Sequence, residues 1–301
     1  MTGGAGAGVL GIDVGGTKIA AGVIDPATGA ILVRETIATE AARGGMAILD
    51  DTIDLARRLI GAVKLRVDRI GVGVPQLVDN AGRIRSAYNF DWTGLPVRER
   101  LSTLAVTTIE SDVRAAARAE AEFGAGKERR VFVYVTIGTG VSYCLVIDGR
   151  PHAGANGFAI HFASSALHVP CGACGHLNAP VLEEIASGPA ISAAYARRTG
   201  RNVSAPDLLA AASAGDAVAG DILTAAARQL GPLIALVVNM LDPEVVVLGG
   251  GLGLAAGPYR EELIAATRAH IWAESCRDLP ILPAALGVDA GLVGAALAAG
   301  A

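Results

Sequence analysis

The chain opens with a pattern that predicts a strand, a tight turn and a second strand. Apolar and small positions alternate over Leu10–Val14, Gly15 and Gly16 interrupt the pattern, and Ile19–Ile24 is apolar again. Alternation of this kind is typical of strands, and paired glycines between two such runs are typical of a hairpin turn. The first predicted element is therefore a β-hairpin.

The rest of the first half alternates between strands and helices. Short apolar runs predict strands, and apolar residues at helical spacing predict helices. The expected strands are Ile31–Glu35, Arg69–Val74 and Ala105–Glu110, and the expected helices are Ala47–Val63, Val97–Leu101 and Val113–Phe123. Stretches 78–86 and 88–96 are predicted to be a turn and a polar-aromatic loop.

The second half repeats the opening pattern, which predicts a duplicated architecture. After a predicted boundary at Gly124–Arg130, a strand, a glycine turn and a strand recur. The expected elements are strands Val131–Ile137, Val141–Ile147 and Glu244–Leu248, a helix at Leu230–Leu241, a third glycine turn at Gly249–Gly251 and a closing helix within Ala285–Ala299. If these glycine turns bind phosphate, the two halves would bind a phosphate group from both sides of a cleft.

Composition narrows the class of protein. The 301 residues are 52% hydrophobic with a net charge of −4, so a large core is expected and nucleic acid or an acidic membrane surface is not an expected partner. The residues at the start of the chain are small and polar, so we expect no signal peptide there. The sequence contains no apolar run long enough to predict a membrane-spanning helix. Four cysteines fit a reducing cytoplasm, where we expect the protein to act.

The glycine turns carry the residue types that bind phosphate. In the first turn Gly15 and Gly16 let backbone N–H groups approach an anion, and Thr17 and Lys18 add a hydroxyl and a charge. Asp13, at the strand end, is placed to hold Mg²⁺. The sequence matches neither a Walker loop nor a Rossmann fingerprint.

A second copy of this turn strengthens the phosphate hypothesis. Gly138, Thr139 and Gly140 repeat the arrangement of glycines beside a threonine. A single such turn is usually only a tight hairpin. Two copies favour phosphate binding.

Asp112 is the candidate catalytic base. Phosphoryl transfer to a hydroxyl group needs a carboxylate that accepts the proton of that hydroxyl. The alternative is that Asp112 only caps the alanine-rich helix that follows, a role that Ser111 can also fill. Because Asp112 lies between the two glycine turns in the sequence, we favour the base.

A cysteine and histidine cluster predicts a structural zinc site. His168, Cys171, Cys174 and His176 supply two thiols and two imidazoles within nine residues. A redox dithiol is the rival interpretation, but no thioredoxin-like context surrounds the pair. The identity of the fourth zinc ligand is undecided, because His161 could replace His168.

These motifs, in this order, resemble the ROK family of bacterial glucokinase-like proteins. The resemblance covers nearly the whole chain. It rests on Asp13-Val-Gly-Gly-Thr-Lys18, Gly71-Val-Gly-Val-Pro75, Asn89, Glu110-Ser-Asp112, Ile137-Gly-Thr-Gly140, Gly154-Ala-Asn-Gly157, Leu182-Glu183, Val247-Leu-Gly-Gly-Gly251 and Asp289-Ala-Gly-Leu-Val-Gly-Ala295.

The resemblance implies a fold and a nucleotide. The fold would be the two-domain α/β actin-like fold of sugar kinases and Hsp70 ATPases, with ribonuclease H-like duplicated domains around a cleft. The first domain would be 1–123 plus 286–301, and the second 124–285. ATP and Mg²⁺ are the implied cofactors, with adenosine against Gly249, Gly250 and Gly251. A homodimer is also expected.

The resemblance further implies a set of sugar-binding residues, some of which depart from the family pattern. The implied substrate ligands are Asn89, Ser111, Asp112, Asn156, Gly157, His161 and Glu183. Ser111 replaces the usual asparagine, while His161 and Ser164 stand where the family has glutamate and histidine. An apolar setting makes a purely structural His161 an equal alternative. These changes put plain glucose in doubt.

The predicted function is an ATP-dependent kinase that phosphorylates a primary hydroxyl group of a sugar or sugar-like polyol. A hexose, an amino sugar or a cyclitol are the candidate substrates. One alternative is a sugar-responsive transcriptional regulator of the same family, although we expect no winged helix before the first strand at Val9. The other is a catalytically weak sugar-binding protein.

Overall fold

A computed structural model describes residues 8–166, 169–170 and 173–300. The chain divides into two compact units. The first unit contains Met1–Glu128, Cys144–Ile160 and Val288–Ala301, and the second contains Arg129–Tyr143 and His161–Gly287. The first unit therefore takes up both ends of the chain.

Strands and helices alternate along most of the chain, which confirms the predicted α/β class. The strands are β1 Gly8–Val14, β2 Lys18–Ile24, β3 Ile31–Ala38, β4 Val67–Val74, β5 Val106–Ser111, β6 Val131–Ile137, β7 Val141–Ile147, β8 Arg150–Pro151, β9 Val169–Pro170, β10 Leu177–Asn178, β11 Val245–Gly249 and β12 Ile281–Pro283. The helices are α1 Gly45–Ala62, α2 Val97–Leu101, α3 Asp112–Phe123, α4 Glu183–Ala186, α5 Gly188–Thr199, α6 Ala205–Ser213, α7 Ala217–Leu241, α8 Gly250–Leu254, α9 Pro258–His270 and α10 Ala290–Ala298.

The first sheet has the strand order β3-β2-β1-β4-β5. β1 pairs antiparallel with β2, in the register Val14 opposite Ile19, so the predicted opening hairpin is confirmed. β1, β4 and β5 run parallel, with Asp13 opposite Gly73 and Gly73 opposite Glu110. The carboxyl ends of these three strands therefore meet at one edge of the sheet.

The two faces of β1 have different neighbours. Leu10, Ile12 and Val14 belong to a buried cluster with the apolar face of α1. Gly11 and Asp13 point to the opposite face, because successive side chains in a strand alternate between faces. That face is covered by α10.

Helix α10 lies unusually close to the sheet. A methyl group on Gly71 would lie 1.6 Å from the carbonyl oxygen of Ala295, and one on Gly11 would lie 2.2 Å from that of Leu292. A methyl group on Gly294 would lie 1.7 Å from the carbonyl oxygen of Ala115 in α3. Only glycine allows backbone atoms to approach this closely.

The second five-stranded sheet has the order β12-β11-β6-β7-β8, and β6, β11 and β12 run parallel. The predicted strands Val131–Ile137 and Val141–Ile147 match β6 and β7 residue for residue. The end of β11 therefore lies beside the end of β6, at the second glycine turn.

Helix α7 corrects a prediction. The expected helix at Leu230–Leu241 in fact begins at Ala217. Gly231 and Pro232 lie inside the predicted helix and inside α7 alike, so neither residue interrupts it. The helix continues because its buried face extends back to Ala219, and Gly231 lets α9 pack closely, with a methyl group there only 2.5 Å from the Ala266 Cβ.

By length and composition α7 would also pass for a membrane span, but 56% of its apolar window is buried inside the fold. It packs against α9, α5 and α6. The helix is thus explained as the core helix of the second unit.

The contact of α10 with β4 generates a stability prediction. Gly71→Ala places a methyl group inside the van der Waals radius of the Ala295 carbonyl, so α10 must move. We expect the free energy of unfolding of the first unit to fall by about 2–4 kcal/mol. Urea denaturation followed by circular dichroism measures this change.

The matched control is Gly61→Ala in α1, where a methyl group would meet nothing within 4 Å. This exposed helical position should gain up to about 1 kcal/mol, because alanine favours the helix. Equal effects of the two substitutions would contradict the close approach of α10.

Candidate functional site

The first glycine turn is held from one side by Thr39. The Gly15 N–H donates to the Lys18 carbonyl at 2.9 Å, and the Thr39 hydroxyl donates to the Gly15 carbonyl at 2.6 Å. The Thr39 N–H donates to the Thr17 carbonyl at 3.0 Å. No acceptor in residues 8–166, 169–170 or 173–300 takes the N–H of Gly16 or Thr17. The turn therefore presents two free N–H groups beside the exposed side chains of Thr17 and Lys18.

Asn89 lies directly over this turn. A methyl group on Gly16 would lie 2.7 Å from the Asn89 amide group, so the asparagine side chain packs against the turn backbone. Asn89 itself has a left-handed backbone with φ of 60°, a conformation that asparagine tolerates better than most residues. The fold thus brings a predicted substrate ligand to the predicted phosphate turn.

Asp13 and Asp112 lie on either side of Gly73. A methyl group on Gly73 would lie 3.7 Å from both the Asp13 Oδ1 atom and the Asp112 Cα atom. Asp13 is near the end of β1, and Asp112 follows the end of β5. The parallel strands therefore bring together two carboxylates that are far apart in sequence.

The pKa values of both acids are raised. Burial first and the nearby charge of Asp13 second raise the pKa of Asp112 to about 7, against the opposing effects of the Val113 N–H and Arg114. Burial raises the pKa of Asp13 to about 6, against the attraction of Lys18. A carboxyl group with a pKa near 7 exchanges its proton at neutral pH.

Helix α3 fixes the position of Asp112. Ser111 occupies the N-cap position of α3, but its side chain makes no capping hydrogen bond, and the residue is fully buried. The Asp112 Oδ1 atom accepts from the Val113 N–H at 2.6 Å. The carboxyl group is thereby oriented by the first turn of the helix that it begins.

Arg114 is a site residue that sequence reasoning missed. It is 3% exposed, and its guanidinium group donates to Glu110 Oε1 at 2.7 Å, to the Val78 carbonyl at 3.0 Å and to the Gly157 carbonyl. The only sequence signal was an arginine four residues after Glu110 in an otherwise alanine-rich helix. Arg114 links the strand before Asp112 to the predicted substrate loop.

The loop at 154–157 is anchored at several points. The Asn80 side-chain amide donates to the Gly154 carbonyl at 3.1 Å and the Ala155 carbonyl at 2.9 Å. Gly157 is buried, whereas Asn156 is exposed. Of the two predicted substrate ligands in this loop, Asn156 therefore presents its side chain to solvent.

The second unit contains the second glycine turn and Glu183. The Gly138 N–H donates to the Gly140 carbonyl at 2.9 Å, and the Gly188 N–H donates to the Gly138 carbonyl at 2.7 Å. Glu183 Oε2 accepts from the Val141 N–H at 2.8 Å. In the described part of the chain no acceptor takes the N–H of Thr139 or Gly140. Glu183 thus fastens the turn, an arrangement that the sequence did not indicate.

The three glycines at the end of β11 lie against this second turn. A methyl group on Gly138 would lie 3.8 Å from the Gly251 nitrogen. Gly250 has a φ of 74° and lies so close to Ile137 that a methyl group would be 2.4 Å from its carbonyl oxygen. Gly249 ends β11, and Gly250 and Gly251 begin α8 rather than forming a free turn.

The predicted zinc segment is only partly described. His168 and Cys171 lie outside the described residues. Cys174 and His176 are both exposed, and Cys174 is a free thiol. The described residues contain no group of three or more histidine, cysteine or acidic side chains that could hold a metal ion. His161 contacts Ser164, with 3.1 Å between Nδ1 and Oγ.

Comparison with known proteins gives matches over nearly the entire chain. Residues 9–301 match the model of the ROK family. An N-acetylmannosamine kinase from Yersinia pseudotuberculosis is 32% identical over 96% of this chain and 97% of its own length.

Two solved structures are also similar. The ROK hexokinase from Thermus thermophilus has a TM-score of 0.78 and is 34% identical, with 97% of each chain covered. A ROK family glucokinase from Streptomyces griseus, in complex with glucose and AMPPNP, has a TM-score of 0.83 and is 27% identical, with 96% of this chain and 98% of its own covered. These similarities confirm the predicted actin-like sugar kinase fold.

The raised pKa values predict that stability falls with rising pH. Asp13 and Asp112 bind protons more tightly in the folded than in the unfolded chain, whose aspartates have a pKa of about 3.9. Their contribution is fully present below about pH 4 and is lost as the pH rises through about 6 and 7. In metal-free buffer we expect Asp112→Asn to reduce the fall in urea midpoint between about pH 5.5 and about pH 8.

The control is Asp54→Asn, whose side chain is 62% exposed. This variant should keep the pH dependence of the unsubstituted protein. If Asp112→Asn also kept the full pH dependence, the Asp112 carboxyl group would not be the one that titrates near neutrality.

Proposed function

Because the chain belongs to the ROK family, we propose that it transfers the terminal phosphoryl group of ATP to a primary hydroxyl group of a sugar or sugar-like polyol. The chain is a carbohydrate kinase, as are its named relatives. What we propose beyond this class is the primary hydroxyl group as the phosphate acceptor and Asp112 as the catalytic base. The observation that supports them is the pair of carboxylates at the meeting point of β1, β4 and β5.

In this proposal Asp112 is the catalytic base. Its pKa of about 7 is close to the pH at which such an enzyme works, so a large fraction is ionised and still basic enough to accept a proton. The hydrogen bond from the Val113 N–H fixes one carboxylate oxygen. The other oxygen is available to accept the proton of the substrate hydroxyl.

Asp13 is proposed to hold Mg²⁺, and the donor set fits that ion. Carboxylate oxygens are the ligands that Mg²⁺ prefers, and the attraction of Lys18 does not offset the desolvation that raises the pKa of Asp13, so a bound cation would stabilise the ionised carboxylate. When bound, the ion neutralises charge that develops on the transferred phosphoryl group. Lys18 and the free N–H groups of Gly16 and Thr17 would bind phosphate oxygens.

The second unit offers a matching set of donors for ATP. The free N–H groups of Thr139 and Gly140 are available to phosphate oxygens, and Glu183 and Gly188 hold the turn that presents them. Of the three glycines beside this turn, Gly251 is exposed, and a methyl group there would meet nothing within 4 Å. We propose that adenosine binds against this backbone.

The proposed substrate ligands are residues that the fold presents with free polar groups. Asn89 and Asn156 are exposed, and Glu183 has one carboxylate oxygen bonded to Val141. His161 is exposed and contacts Ser164, which fits either a structural role or a ligand role. The substrate classes that we propose for these ligands are a hexose, an amino sugar or a cyclitol.

The kinase and its two rival functions differ in whether they require the Asp112 carboxyl group. A transcriptional regulator or a weakly catalytic sugar-binding protein needs no titrating carboxylate beside a phosphate turn. A desolvated acid is costly to the fold, which supports the kinase. The cytoplasmic location and the homodimer stay predictions.

The Asp112→Asn variant tests the proposed mechanism. Turnover is measured with Mg-ATP and a panel of sugars, amino sugars and cyclitols. On the best substrate we expect kcat to fall by about 10²–10⁴-fold, because the amide cannot accept the proton. The KM for ATP should change little.

Asp54→Asn serves as the control and should leave kcat unchanged. If Asp112→Asn retained full kcat on every substrate, another group would have to be the base. If glucose surpassed every amino sugar and cyclitol in kcat/KM, the departures at Ser111, His161 and Ser164 would not change specificity.

Metal analysis tests the proposed structural zinc. We propose that Cys174 and His176 bind Zn²⁺ with Cys171 and either His168 or His161. Elemental analysis of the purified protein should find about one zinc per chain, and Cys174→Ser should lose it. Cys276→Ser is the matched control. A protein free of zinc when expressed with zinc would refute the site.

A further inference from the structure

A polar cavity lies within the first unit, and none of the proposed nucleotide, metal or substrate ligands lines it. Its volume is about 470 Å³, and it runs along β5, which forms one edge of the first sheet. Neither Asp13, Asp112 nor the Gly15–Lys18 turn lines it. The cavity is large enough for a small metabolite.

Three arginines line this cavity, against two carboxylates. The arginines are Arg98, Arg114 and Arg118, and the acids are Asp79 and Glu110. Asp79 is already paired with Arg83 at 2.8 Å and Arg85 at 3.0 Å, outside the cavity lining, and Glu110 is paired with Arg114. Arg98 and Arg118 therefore have no carboxylate partner among the described residues.

Two guanidinium N–H groups at the cavity are buried and unsatisfied. The Nε atoms of Arg98 and Arg118 are shielded from solvent and have no hydrogen-bond partner in the described part of the chain. Arg98 uses its Nη2 atom to donate to the Ala81 and Gly82 carbonyls, each at 2.8 Å, which fixes its position. Buried donors without an acceptor are rare in proteins, so each calls for an explanation.

The two Nε atoms are closed off from solvent, so an oxyanion in the cavity would be held by the other nitrogens of Arg98 and Arg118, whose positive charge no carboxylate of the described residues pairs with. Guanidinium groups present N–H donors in a planar fork that matches phosphate and carboxylate oxygens. Thr107 and Thr108 from β5 add polar groups, while Pro151, Ala153 and Ala298 give the cavity an apolar part. This combination suits a small molecule with one anionic group and a less polar body.

We propose that this cavity is a binding site for the phosphate or carboxylate group of a small metabolite, held by Arg98 and Arg118. The site shares Arg114 with the residues described around Asp112, but it shares none of the proposed nucleotide, metal or substrate ligands, so it does not depend on the proposed kinase mechanism. Arg114 lies between the two, with bonds to Glu110 and to the Gly157 carbonyl.

The test is titration calorimetry of the whole protein with inorganic phosphate, glucose 6-phosphate and citrate as separate probes. Saturating Mg–AMPPNP is present, so that the glycine turns do not bind the probe. We expect at least one probe to bind, and Arg118→Met to weaken that binding at least about tenfold. Arg118→Lys should recover part of the affinity, because it keeps the charge without the fork.

Arg66→Met is the matched control, because the Arg66 side chain is 82% exposed and does not line the cavity. Its Nε atom makes a long ion pair, 3.6 Å from the Asp68 Oδ2 atom. It should bind as the unsubstituted protein does. Stronger binding of glucose 6-phosphate or citrate than of inorganic phosphate would identify a metabolite as the ligand, and the reverse would identify free phosphate. Equal affinity in Arg118→Met, or no binding of any probe up to about 10 mM, would overturn the proposal.

Discussion

The close contact between the backbone of α10 and the first sheet is the constraint on which the site depends. α10 comes from the end of the chain, yet it packs on β1, which contains Asp13, and on β4, which contains Gly73. A methyl group on Gly291, in the first turn of α10, would lie 2.7 Å from the Asp13 carboxylate. The helix therefore covers the face that Asp13 points into, and this coverage removes water from the carboxyl group.

Removal of water explains the chemistry of the two acids. Desolvation is the largest cause of the raised pKa of both Asp13 and Asp112, and the proximity of their charges adds to it for Asp112. An isolated pair of buried carboxylates weakens a fold. In the proposed reaction a bound cation and a proton-donating substrate would compensate for this cost.

The two units use the same device to present N–H groups, with different supports. In the first unit, Thr39 holds the carbonyl groups of the turn. In the second unit, the Glu183 carboxylate and the Gly188 N–H hold the turn. In each case the supports occupy part of the turn, and two neighbouring N–H groups have no acceptor among the residues that the structure describes. Glu183 thereby has a structural contact as well as its proposed role in sugar binding.

Local patterns in the sequence predict the hairpins, their glycine turns and the acids beside them, because alternation, helical spacing and turn residues act over short stretches. The folded chain alone shows that Asp13 and Asp112 meet at Gly73, that Arg114 reaches Gly157 and that Glu183 bonds to Val141. Burial against neighbouring helices likewise starts α7 at Ala217, ahead of the predicted start at Leu230. These outcomes depend on contacts between residues distant in sequence, which packing and burial select and which no local pattern contains.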